Sequence, residues 1–181
     1  MTAPAVRRVR ADEWPAVRAL RLESTSDPDA AIAFLETPEQ VAQRTDGFWR
    51  DRTVRAAESD IAAQFVAEAG GVWVGSMSVL IRATGQTDNV GRFVDDRRAD
   101  VVGVYVNPVH RGIGTVDALF DAAAAWAASQ GLFRLTLDVH ADNARAQAAY
   151  RRNGFTPTGV TFTGPIGPEL EMARELPRQA R

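Results

Sequence analysis

The 181-residue sequence contains no cysteine and no lysine. The first absence excludes a disulfide framework, thiolate catalysis and cysteine-ligated zinc. The second means that all 21 basic residues are arginines, and against 23 acidic residues they leave a formal charge of -2. That balance gives no global attraction for a nucleic acid or another polyanion. Histidine is scarce as well: His110 and His140 are the only two, neither lies in a ligand-spaced cluster, and no metal site is expected. No apolar run reaches the roughly 18 residues of a membrane span, and the opening stretch, with Arg7, Arg8 and Arg10, lacks the apolar core of a secretion signal. The chain reads as a soluble cytoplasmic protein with no nucleic-acid or membrane partner. With 45% apolar residues and no internal repeat, residues 1–176 are read as one domain followed by a polar tail, 177–181.

What is present is an alternation of strand and helix signals. Val6 to Arg10 alternates, and Asp12 is a candidate N-cap for a helix carrying Trp14, Val17 and Leu20 to about Glu23. A second helical stretch starts at Thr37-Pro38-Glu39, with Val41, Phe48 and Trp49 on its apolar side. Ile61 to Glu68 and Val72 to Ile81 are β-branched and aromatic segments joined by Gly70-Gly71, a hairpin signature. Arg82 to Ala99 has little periodicity and reads as a long exposed connection. Asp100 to Val106 suits a strand buried on both faces. Past a glycine-bearing turn, Val116, Leu119, Phe120, Ala123 and Ala127 mark a helix that Gly131 ends. Leu132 to His140 alternates again, so strand, helix and strand form a parallel crossover. Asp142 opens a further helix closed by Gly154, and strands follow near Thr158 to Thr163 and Glu169 to Leu176.

The turn His110-Arg111-Gly112-Ile113-Gly114 carries chemistry. A strand that runs through glycines directly into a helix presents unpaired N–H groups at the positive end of the helix dipole, where a phosphate group binds. Gly112 and Gly114 permit close approach of the backbone, and Arg111 adds a permanent charge. Neither a Walker loop nor a dinucleotide fingerprint is present, because there is no Gly-Lys-Ser/Thr and Asp117 stands where a third glycine would be. In the later helix Asn143 and Tyr150 are seven residues apart, roughly two turns or about 10 Å, on one face with Ala146 between them. Such a face lines a narrow, elongated ligand or, on the pattern alone, packs a helix through small residues.

Together these segments resemble the GNAT superfamily of acyl-CoA-dependent N-acetyltransferases. Val104-Tyr105-Val106-Asn107-Pro108 followed by Arg111-Gly112-Ile113-Gly114 is similar to its strand and pyrophosphate loop, of pattern Arg/Gln-x-x-Gly-x-Gly/Ala. Asn143-x-x-Ala146-x-x-x-Tyr150 with Gly154-Phe155 is similar to its second motif. The match covers about Asp100 to Gly159, with two departures: Val116 replaces the loop's final Gly or Ala, and Ala149 stands where Leu is frequent.

The resemblance implies an α/β (α+β) fold with a mixed, largely antiparallel twisted sheet flanked by helices and two splayed parallel strands that hold acetyl-CoA. It implies that pantetheine pairs with the backbone of Val104 and Val106. Pyrophosphate then sits on the amides of Gly112, Ile113, Gly114, Thr115 and Val116 with Arg111 nearby, Asn143 fixes the pantetheine arm, and a backbone N–H near Val104 or Tyr105 polarises the thioester. An amine acceptor attacks directly, and Tyr150 protonates the leaving thiolate, since a phenol with pKa about 10 is protonated at neutral pH. For the general base the candidates are Asp100, Glu68 and water. Phe34, Trp49, Trp73 and Phe162 are candidate acceptor contacts, and Asp95, Asp96 and Glu169 are candidate attractants for a cationic amine. A non-catalytic acyl-CoA-binding module of the same fold is the alternative, and a homodimer is compatible with the resemblance.

Overall fold

The computed structural model describes residues 4–178. Met1 to Ala3 and the last three residues of the expected polar tail lie outside the described residues. The chain runs β1 (Ala5–Arg8), α1 (Trp14–Thr25), α2 (Pro38–Gln43), α3 (Asp46–Glu58), β2 (Ala62–Ala69), β3 (Val72–Arg82), β4 (Arg98–Val106), α4 (Thr115–Ser129), β5 (Arg134–His140), α5 (Ala144–Arg152), β6 (Thr156–Gly164) and β7 (Gly167–Glu175). One sheet of seven strands has the order β1-β2-β3-β4-β5-β7-β6. Every neighbouring pair is antiparallel except β4 and β5.

Local chemistry sets the boundaries. Pro15 occupies the first turn of α1, but the cap is Glu13 and not Asp12, and the Glu13 carboxylate binds Arg7 instead of the helix amides. The single helix expected from Thr37 is two. Thr37 and Gln40 form a capping box for α2, and Thr45 then accepts from the Phe48 N–H to start α3. Gly70 and Gly71, at φ 59° and 79°, turn the β2–β3 hairpin. The long connection before β4 is pinned where the sequence suggested an open loop: Asp88 accepts from the N–H groups of Val90 and Arg92, and Val94 is buried.

The two faces of the sheet bury different cores. One packs Phe65, Val79, Val101, Leu135, Leu137 and Met172 against Leu119 and Phe120 of α4 and against Phe155. The other packs Val66 and Val9 against Val17, Val41 and Trp49 of the first three helices. Strand alternation therefore gives β5 an apolar side toward α4 and a polar side, Thr136, Asp138 and His140, on the opposite face. Two irregularities in β4 position the site. Its register with β3 slips between Ser76 and Ser78, where Gly103 takes φ 63° and the strand bulges. Its parallel pairing with β5 is confined to Ala99 with Leu135 and Asp100 with Thr136. Beyond Asp100 the two strands separate.

Candidate functional site

The separation opens a cavity of about 1160 Å³ lined by Val101 to Val106 of β4, Leu137 to His140 of β5, the turn before α4, and α5. From Val101 onward, β4 is paired with β3 alone, so its β5-side backbone groups have no strand partner. At the end of β4, Gly112 and Gly114 adopt φ 76° and 85°, and Gly114 caps α4 without a side-chain hydrogen bond. Helical pairing resumes only when the Ala118 N–H donates to the Gly114 carbonyl, so the amides of Thr115 to Asp117 stay available at the dipole's positive end. Gly112, Gly114, Thr115 and Val116 line the cavity, whereas Ile113 points outward and is 36% exposed. The Val116 side chain packs against the core beside α4, which leaves its amide in place. Space at the glycines, free amides and a strand-edged cleft fit an extended diphosphate-bearing thioester such as acetyl-CoA.

Arg111 is committed elsewhere in part. Its Nε donates to the Val106 carbonyl and its Nη2 to Asp27, 2.5 Å away, so it braces the loop after α1 against the end of β4. The Val106 carbonyl thus already accepts one hydrogen bond. Arg152, at the end of α5, also lines the cavity and was not singled out in the sequence. Asn143, not Asp142, caps α5 by accepting from the Ala146 N–H, so its side chain positions that helix.

Tyr150 faces the cavity two turns further on, set edge-on to Phe120 with ring centroids 5.8 Å apart and beside Phe155. Burial in this aromatic corner pushes its phenol up to about 12, above the ordinary value assumed from sequence. Tyr105 is different: its side chain turns away toward Leu20 and Phe34, and its hydroxyl donates to Glu23 at 2.9 Å. Only its backbone is placed for the cleft.

Below the separation lies a buried polar floor. Asp100 is 7% exposed, and burial pushes its carboxyl up to about 6 against the opposing pull of Arg98 and Arg82. Arg98 Nε stands 2.9 Å from Oδ1, but that approach lacks hydrogen-bond alignment and leaves Oδ1 without a partner. Cross-strand register places Asp138 opposite Glu171 and His140 opposite Glu169. Asp138, His140 and Glu169 line the cavity with Asp100; burial raises the Asp138 and Glu169 carboxyls, and each has one oxygen with no hydrogen-bond partner. Arg92, from the connection before β4, reaches over this floor to Asp138 at 2.7 Å and to Asp88 at 2.8 Å. The sequence places His140 at the end of a strand and offers Glu169 as an attractant for a cationic amine; that the two meet depends on the β5–β7 register.

Other expected residues fall away from the site. Glu68, a candidate base, is held by Arg7 and by the Trp73 indole at the end of the β2–β3 hairpin and does not line the cavity. Trp49 fills the helical core, Phe162 lies under the Arg92 guanidinium, and Asp95 and Asp96 are exposed. Of the four aromatics only Phe34 reaches the cavity. No group of residues able to hold a metal occurs among the described residues, and no helix there is long and apolar enough to cross a membrane.

Comparison with known proteins agrees with this geometry. The chain is 34% identical over 135 residues to a mycothiol acetyltransferase of Amycolatopsis mediterranei, covering 72% of this chain and 43% of that protein. It spans about half the length of the curated relatives it matches. Among solved structures, a GNAT-family acetyltransferase of Streptococcus pneumoniae superimposes with TM-score 0.75 at 17% identity, covering 96% of this chain and 99% of that one. The PaiA N-acetyltransferase of Thermoplasma acidophilum, solved with coenzyme A, superimposes with TM-score 0.73 at 18% identity, covering 97% and 99%. The model of the acetyltransferase (GNAT) family matches residues 14–155, and the chain belongs to that family.

Proposed function

We propose that the protein transfers an acetyl group from acetyl-CoA to a primary amine of a small molecule or peptide by direct attack. The observation that carries this reading is the separation of β4 from β5 beside the uncapped start of α4, which offers an extended thioester a strand edge and a diphosphate a set of amides. Acetyl-CoA supplies the activated acyl group. The amides from Gly112 to Val116 hold its diphosphate, Asn143 fixes the helix that borders the arm, and the bulged backbone near Val104 directs an N–H at the thioester oxygen.

Asp100 is the preferred base. A carboxyl titrating at about 6 is ionised at neutral pH and close enough to that range to accept an amine proton, directly or through water. Tyr150 stays protonated throughout the neutral range. Its phenol is a weaker acid than a thiol of pKa about 8.5, so it serves the leaving sulfur as an O–H donor that stabilises negative charge as the bond breaks. Buried carboxylates with unpaired oxygens favour turnover over a module that only holds acyl-CoA. The location on this reading is the cytoplasm.

The test combines calorimetric titration with acetyl-CoA and free CoA and thiol-release assays on wild type and Tyr150→Phe. Wild type binds acetyl-CoA, and the variant keeps that affinity while its kcat falls on the order of a hundredfold. Unchanged kcat removes Tyr150 from the chemistry; absence of CoA binding by folded protein overturns the whole reading.

A further inference from the structure

The cavity extends past the cleft to a second, oppositely charged end that acetyl transfer as described leaves unused. Arg21 of α1, Arg52 and Arg55 of α3, and Arg44, just after α2, line it there against two carboxylates, Glu36 and Asp51. Glu36 is shared between Arg21 at 3.0 Å and Arg44 at 3.2 Å. Arg52 is half-buried and has neither a salt bridge nor a hydrogen bond to a carboxylate among the described residues; its charged neighbours are Arg21, Arg44 and Glu36. A guanidinium partly removed from water beside two like charges is a site short of an anion.

Its place in the fold relates it to the acceptor. Arg21 Nη1 lies 3.7 Å from where a Cβ on Gly103 would stand, so the guanidinium rests on the β4 bulge. Arg52 stands over Gln64 and Ser78, which are paired across β2 and β3, and Ser78 is paired in turn with Val102 of β4. With strands about 4.8 Å apart, the arginines are within about 10 Å of β4, on its side away from β5. Of the acidic floor, Asp100 belongs to β4 itself, and Asp138 of β5 and Glu169 of β7 lie on the other side. One cavity thus offers cations and carboxylates on either side of the strand where the thioester would lie.

We propose that Arg21 and Arg52 form the anion-recognition end of the acceptor site, so that the acceptor is a small molecule carrying a carboxylate or phosphate on the same scaffold as its reacting amine. The assignment rests on the acetyl-transfer reading for the amine's role, whereas anion recognition is measurable by itself. The ammonium meets the acidic floor, loses a proton there and attacks, while its anionic group is held by the arginines. Arg52, whose guanidinium has no carboxylate partner, contributes more than Arg21, which is already shared with Glu36.

The experiment titrates the CoA-loaded protein with the ω-amino acids from glycine to 6-aminohexanoate and with the amide of each. O-phosphoethanolamine against ethanolamine separates phosphate from carboxylate. Wild type, Arg52→Gln, Arg52→Lys and Arg21→Gln are compared, with thermal melts to confirm folding. At least one anionic member binds about tenfold or more tightly than its neutral partner, the ratio collapses in Arg52→Gln, and Arg52→Lys keeps part of it. In turnover the loss appears in KM for the acceptor rather than in kcat. Neutral partners binding as well as acids, a preference that survives both Gln variants, or no binding by any member overturns the proposal. Arginine-dependent binding of an acid with no acetyl transfer to any amine upholds anion recognition and refutes the acetyl-transfer reading instead.

Discussion

Replacing Asp100 by Asn separates the cost of the polar floor from its use. The Asp100 carboxyl titrates at about 6 in the folded protein against an ordinary 3.8. Below 3.8 it is protonated in both folded and unfolded chains, and nothing is lost. Above 6 it is ionised in both, and the folded state carries the whole penalty of a poorly solvated charge. At about 1.4 kcal/mol per pH unit the full gap is worth about 3 kcal/mol, and because the unfolded carboxyl is already partly ionised at pH 4, the wild type is about 2.5 kcal/mol less stable at pH 7 than at pH 4 through this one group. Asn is close in shape and does not ionise, so the variant's stability relative to wild type rises from about 0.5 kcal/mol at pH 4 to about 3 kcal/mol at pH 7, or about 6–12 °C in Tm. Urea unfolding of both proteins across pH 4 to 8 measures it, and the change falls between pH 4 and 6. A pH-independent difference, or a variant less stable at pH 7, refutes the reasoning and shows that the Arg82 and Arg98 ion pairs outweigh burial. The same substitution lowers kcat/KM on the order of a hundredfold or more and removes the limb that rises with pH near 6.

Gly114→Val places a β-branched side chain at φ 85°, where space is open but the backbone is strained; acetyl-CoA affinity falls about tenfold or more by calorimetry. Arg92→Gln leaves Asp138 without its ion-pair partner, whereas Asp88 keeps Arg98 and two backbone N–H donors, and costs about 3 kcal/mol at pH 7. Because burial raises the Asp138 carboxyl and its protonation removes the unpaired charge, that loss shrinks in denaturant titrations as the pH falls toward 4. Trp49→Ala empties the centre of the helical core and destabilises by about 3–5 kcal/mol in urea unfolding, with wild-type acetyl-CoA affinity in the remaining folded protein.

The parts of the fold legible in the sequence are those that short stretches specify. Gly112 and Gly114 before an apolar stripe announce a helix entered through a backbone turn, and Leu135, Leu137 and Val139 announce which side of β5 is buried. The same alternation puts Asp138 and His140 on the opposite side. It gives parity without saying what covers the second face, and here the cover is Arg92, 46 residues before Asp138. Glu169 is a candidate from its charge alone, but its meeting with His140 depends on the β5–β7 register, which the sequence does not specify. The split into α2 and α3 was visible in Thr45-Asp46-Gly47, a second capping signal masked by the continuing apolar pattern. Arg111 illustrates a different limit: its residue type suits a phosphate, but two of its donors are occupied, one by the nearby Val106 carbonyl and one by Asp27, 84 residues away.

The brief pairing of β4 with β5 has a mechanical meaning. Two residue pairs are all that join the ladder of β1 to β4 with that of β5, β7 and β6. Main-chain cooperativity is nearly interrupted there, and the two plates hold together chiefly through the shared apolar layer beneath α4. An elongated molecule lying along the gap would act as a missing rung, so occupancy and resistance to unfolding become one quantity, worth about 2.7 kcal/mol at a hundredfold excess over Kd. Amide protons of β5 and β7 then exchange more slowly in proportion to saturation, including those that never touch the bound molecule.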